Sequence, residues 1–122
     1  MASELTVAAT LQFAKGNVVS HGFAKANLHF DVTGSKYVRA VQNIGTDAEA
    51  IGLGEITAPG WFYIFNLDSA NYVEILAAIA GDEFLKIEAG EVAMGRFAAS
   101  VTAPAAKANT SALNIEYLIV ED

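Results

Sequence analysis

The sequence predicts an all-β fold, an antiparallel β-sandwich of jelly-roll-like or immunoglobulin-like Greek-key type with about eight to nine strands. Period-two alternation of apolar and polar residues marks segments near both ends of the chain. Turn-forming residues recur about every 10–14 positions, as short sandwich strands require, and no segment carries a helical period.

Leu5, Val7, Ala9, Leu11 and Phe13 share one face while Thr6, Thr10 and Gln12 share the other, the pattern of a half-buried strand. Lys15-Gly16-Asn17 supplies a turn. Ala24–Val32 shows the cleanest alternation, with Ala26, Leu28, Phe30 and Val32 inward and Lys25, Asn27, His29 and Asp31 toward solvent. After the turn Thr33-Gly34-Ser35-Lys36, residues 37–43 read as a strand. Glycines and Pro59 interrupt 45–60, where the pattern fits either a short strand near Ala50–Leu53 or a helical turn at 47–50.

Trp61-Phe62-Tyr63-Ile64-Phe65 is apolar on both faces and bounded by Pro59-Gly60 and Asn66-Leu67-Asp68, which suits a central strand covered on both sides. Tyr72–Ile79 is expected as its antiparallel neighbour. Phe84–Ile87 and Val92–Phe97 flank Glu88-Ala89-Gly90-Glu91, read as a hairpin loop with Gly90 at positive φ. Residues 99–105 read as a small-residue loop. Leu113–Val120 sets Leu113, Ile115, Tyr117 and Ile119 against Asn114, Glu116 and Leu118. No repeat, linker or low-complexity tract intervenes, so one β-sandwich domain is expected over 1–122.

Hydrophobic residues make up 53% of the chain and charged residues 17%, the reverse of a disordered composition. A mean hydropathy of +0.35 asks either for unusually deep burial or for apolar surface that meets a partner. No window approaches the roughly 18 apolar residues of a membrane-spanning helix. Met1-Ala2-Ser3-Glu4 lacks the features of a signal peptide, so synthesis and assembly in the cytoplasm are expected. Cysteine is absent, which removes disulfides and thiolate chemistry. The net charge is −7 and the seven bases are scattered singly, so direct nucleic-acid binding and adhesion to anionic membranes are not expected.

Candidate chemistry is sparse, and each case has a structural reading. His21 and His29 have no partner at a ligand spacing and read as solvated imidazoles. Ser20 and His21, as neighbours in an extended chain, point to opposite faces. Gly52-Leu53-Gly54-Glu55 lacks the strand–loop–helix context of a phosphate loop. Asn66, Asp68 and Asn71, with Glu74 nearby, bring too little charge for calcium and read as a turn. Asp82-Glu83 and Glu88/Glu91 read as solvated loop acids. Trp61, Tyr63 and Phe65 lie opposite Phe62 and Ile64, so at least one of the two sets is core; core or subunit interface is preferred over a sugar platform. No catalytic, cofactor-binding or metal residue is assigned, no cofactor is expected, and the chain is read as non-enzymatic.

From about Val41 onward an ordered series of motifs stands out. It comprises Asn43-Ile44-Gly45-Thr46, Leu53-Gly54-Glu55-Ile56, Gly60, Asn66-Leu67-Asp68-Ser69-Ala70-Asn71-Tyr72-Val73, Leu85-Lys86-Ile87-Glu88-Ala89-Gly90-Glu91, Lys107-Ala108 and Leu118-Ile119-Val120-Glu121-Asp122. This series resembles small virion-associated proteins of tailed bacteriophages. The resemblance implies a β-sandwich subunit present in many copies, first of all a decoration or cement protein on the head, and otherwise a neck- or tail-associated component. It implies the major capsid protein or other virion proteins as partners, a homo-oligomer, and location in the virion after assembly in the host cytoplasm. The competing readings are a carbohydrate- or receptor-binding module, built on Trp61-Tyr63-Phe65 and the Asn/Asp turn at 66–71, and a cupin-like enzyme, which needs a histidine-rich metal site.

Overall fold

The computed structural model describes residues 4–16 and 18–122. The expectations for Met1-Ala2-Ser3 and for Asn17 fall outside the described residues. The chain divides into two compact units, Met1–Thr33 and Gly34–Asp122. Among the described residues there are ten strands, all paired antiparallel, and no helix.

The first unit is a two-stranded hairpin of β1 (Leu5–Lys15) and β2 (Val18–Phe30). Val7 pairs with Leu28 and Ala9 with Lys25, so two residues of β2 oppose Ala8 alone. Asn27, at φ 59°, absorbs this bulge in the left-handed conformation that asparagine tolerates. The bulge interrupts the alternation expected over 24–32. Ala26 and Leu28 are exposed, while Phe30 and Val32 are only half-buried. In β1, Val7 is buried but Ala9, Leu11 and Phe13 are exposed, because two strands by themselves enclose no core.

The second unit holds the sandwich, so the eight sandwich strands fall within Gly34–Asp122. They are β3 (Tyr37–Ile44), β4 (Glu49–Ala50), β5 (Pro59–Asn66), β6 (Val73–Leu76), β7 (Glu83–Ile87), β8 (Val92–Arg96), β9 (Ala105–Ala108) and β10 (Leu113–Glu121). One sheet has the order β3-β10-β5-β8 and the other β4-β9-β6-β7. First pairs with last, second with next to last, and so inward to β6 with β7. That order is the jelly roll, a long hairpin rolled into two sheets.

The core lies between the sheets. Ile44, Ile64, Ile115 and Ile119 come from one and Ile75 and Ile87 from the other, all essentially inaccessible. Burying each contributes about 1.5–3 kcal/mol. Phe62 stacks on Phe97 with ring centroids 4.4 Å apart.

Five sequence expectations change. Residues 61–65 do lie in an interior strand, but its neighbours are β10 and β8, and β6 sits in the opposite sheet. Its two sides also differ: Phe62 and Ile64 are buried while Tyr63 is exposed. Residues 88–91 join strands of different sheets, so they form an arch rather than a hairpin, although Gly90 does take positive φ at 77°. Residues 49–50 form a short strand against β9, neither a helical turn nor a strand reaching Leu53. Ala105–Ala108, where the sequence predicts no strand and whose first residue reads as loop, is an interior strand whose alanines are almost completely buried.

Candidate docking face

Because side chains alternate along a strand, each residue packed into the sandwich leaves a neighbour on the outside. The registers of the β3-β10-β5-β8 sheet align these outward residues into rungs. One rung is Val41, Glu116, Phe65 and Val92; the next is Arg39, Leu118, Tyr63 and Met94. Beyond them Tyr37 pairs with Val120 and Trp61 with Arg96. Tyr37 is 70%, Val41 59%, Val92 54% and Met94 43% exposed. Trp61, Phe65, Leu118 and Val120 are half-buried.

The two ends of this face are polar. Asn43 donates to Asn114 across β3 and β10 at 3.1 Å. At the other end Arg96 pairs with Asp122 at 2.9 Å. Arg39 lies 3.8 Å from Glu116 within the apolar field, its side chain 72% exposed and free to turn toward another molecule. The face thus carries both arginines of the sequence and its only tryptophan, and no lysine projects from it. Aromatics, methionine and arginine are the residues enriched at protein interfaces, and lysine and acids are depleted there. A solvated sheet face would instead carry polar residues, so that each strand alternates apolar inside with polar outside.

The other residues singled out in the sequence have structural duties. His29 Nδ1 lies 3.1 Å from Thr6 Oγ1 on the hairpin, whereas the side chains of Ser20 and His21 lie outside those described. Asn66 is fully buried and saturated: its amide donates to the carbonyls of Asn71 and Ile87 at 2.9 and 3.0 Å, and its oxygen accepts from the Asp68 N–H at 2.9 Å. The Asp68 carboxylate accepts from the N–H groups of Asn71 and Ala70 at 2.7 and 3.0 Å, which hold its pKa below the ordinary carboxylate value. This is a self-bonded turn, in which the Asn66 oxygen and one oxygen of the Asp68 carboxylate accept from the turn's own N–H groups. Among the described residues no three His, Asp or Glu converge as metal ligands. Gly52 is engaged from both sides, its N–H donating to Gln42 and its carbonyl accepting from Tyr117. Glu91 accepts from the Glu88 N–H, and Glu88 pairs with Lys86.

Sequence reading reached one strand of the docking face, Trp61-Tyr63-Phe65, and missed the rest. The available signal was Tyr37 and Val41, Leu118 and Val120, and Val92 and Met94, apolar residues at positions where a one-sided sheet should carry polar ones. The chain matches no family model, no curated protein and no solved structure in the comparisons made.

Proposed function

We propose that this chain is a non-enzymatic structural protein of a bacteriophage virion, foremost a decoration or cement subunit on the capsid, that docks through the outward face of its β3-β10-β5-β8 sheet. The observation that carries the docking is the composition of that face: an apolar, aromatic and arginine-bearing field with a polar border, left accessible in the chain. The motif series resembling phage virion proteins supports the setting. Jelly rolls also build lectin and cupin domains, so the fold by itself does not choose among these. A neck or tail position uses the same face against a different neighbour.

One observation favours a glycan-binding reading. Tyr63 lies in a shallow depression with Arg39, Glu116 and Leu118, an aromatic plane beside a charged pair. Sugars stack on such planes, yet the apolar field extends well past this depression to Val41, Val92 and Met94, further than a sugar needs.

The test is co-sedimentation of the purified protein with phage particles assembled without it. Binding is expected, with Tyr63→Lys and Leu118→Lys abolishing it while the chain stays folded. A folded protein that ignores the particles overturns the proposal, and glycan capture lost in Tyr63→Ala replaces it with the second reading.

A further inference from the structure

We infer that a second copy of this chain occupies the outward face of the β3-β10-β5-β8 sheet, in a two-fold symmetric face-to-face pair. The inference rests on the docking reading above and names the occupant of the face in the free protein, a pair that must separate for the face to meet a particle.

Charge is the first argument. Each copy carries −7, so two copies repel over most approaches. On this face the positive charges of Arg39 and Arg96 offset the negative charges of Glu116 and Asp122. The acidic excess lies elsewhere on the chain. Two copies therefore meet here with little net repulsion, whereas a basic partner gains nothing from this surface.

The rungs supply the second argument. A two-fold axis crossing the strands between the rungs of Glu116 and Leu118 lays each rung over the other rung of the second copy. Phe65 then covers Tyr63 of the second copy and Val92 covers Met94. Arg39 comes beside Glu116 of the second copy, and the same contact recurs across the axis. On β5 aromatic meets aromatic and on β8 aliphatic meets aliphatic, while Arg39 and Glu116 lie over Val41 and Leu118 of the second copy and their charges meet diagonally between neighbouring strands. Sheets do stack this way, about 10 Å apart.

Area is the third. Three strands of eight, nine and eight residues and an edge strand of five fit within roughly 19 by 27 Å. Such a face, with its protruding side chains, is of the order of the ~800 Å² per partner that a specific interface uses.

The decisive experiment uses the full chain in sedimentation velocity at micromolar concentration. The wild-type protein is expected to run as a pair. Arg39→Glu and Glu116→Arg each place like charges together across the axis and weaken pairing by about tenfold or more. An equimolar mixture of the two variants restores the pair, because each supplies the charge the other lacks. Only a contact between copies produces that rescue; the Arg39–Glu116 approach within one chain does not. Both side chains are solvent-accessible, so folding survives, as circular dichroism will show. A pair that persists in both variants, or a mixture that stays monomeric, overturns the inference. A monomeric wild type that still binds particles through Tyr63 and Leu118 overturns it too and leaves the docking reading intact; a monomer that binds nothing removes both.

Discussion

The Tyr117 hydroxyl donates a 2.7 Å hydrogen bond to the carbonyl of Gly52 and so ties an interior strand of one sheet to the segment leaving β4 in the other. Gln42 completes the bridge, donating to the Ala50 carbonyl at 3.0 Å and accepting from the Gly52 N–H at 2.9 Å. β4 pairs over only two residues, so these side chains supply much of what anchors it. Tyr117→Phe strands the Gly52 carbonyl and is expected to cost about 1–2 kcal/mol, read from denaturant unfolding.

The same residue sets an alkaline limit. Burial raises the Tyr117 pKa above its ordinary value of 10.0, because the phenolate is the poorly solvated form. The folded state thus holds the proton more tightly than the unfolded one. The contribution is fully present below about pH 10 and is lost as pH rises through the raised value. Between pH 9 and 12 the wild type should lose stability more steeply than Tyr117→Phe. Parallel profiles contradict this account of the site.

Asn66 stands at the junction of β5 with the turn at 67–71, where its side chain satisfies two carbonyls and one N–H away from solvent. Asn66→Ala removes three partners at once, and each stranded buried group costs about 1–3 kcal/mol. Failure to fold, or a loss of about 3 kcal/mol or more, is expected from thermal unfolding.

Asp68 supplies the acid-side counterpart. Its pKa is lowered by the N–H groups of Asn71 and Ala70, so its contribution is present above the ordinary carboxylate value and lost as pH falls through the lowered one. Below about pH 4, Asp68→Asn should show a flatter loss of stability than the wild type.

Adjacent residues of β5 separate folding from docking. Ile64 is fully buried, and Ile64→Ala should cost about 2–5 kcal/mol. Tyr63, one position earlier, faces outward, and Tyr63→Ala should change stability by less than about 1 kcal/mol. Association follows the opposite order once the small loss of folded Ile64→Ala protein is allowed for. Equal effects of both substitutions on stability contradict the assignment of faces.

The same strand shows what was legible in advance. Alternation correctly separated Phe62 and Ile64 from Trp61, Tyr63 and Phe65, because side-chain period is a local property of the backbone. Pairing is not local. Leu118 and Arg39 extend the rung of Tyr63 although 23 residues separate Arg39 from Tyr63 and 54 separate Tyr63 from Leu118 in the chain. The arch at 88–91 resembles a hairpin because a glycine at positive φ serves both. β9 stayed hidden for a compositional reason: alanine is a poor strand former, yet Ala105, Ala106 and Ala108 are almost completely buried there. The hairpin of β1 and β2 was visible as strands, but the bulge at Asn27 depends on register.

The central claim, that this jelly roll acts by packing its outward β3-β10-β5-β8 face against protein, is tested most directly by a cryo-electron-microscopy map of the assembly that contains it. The map is expected to show symmetry-related copies of the sandwich with Tyr63, Leu118 and Met94 covered by protein. A map in which that face borders only solvent contradicts the account.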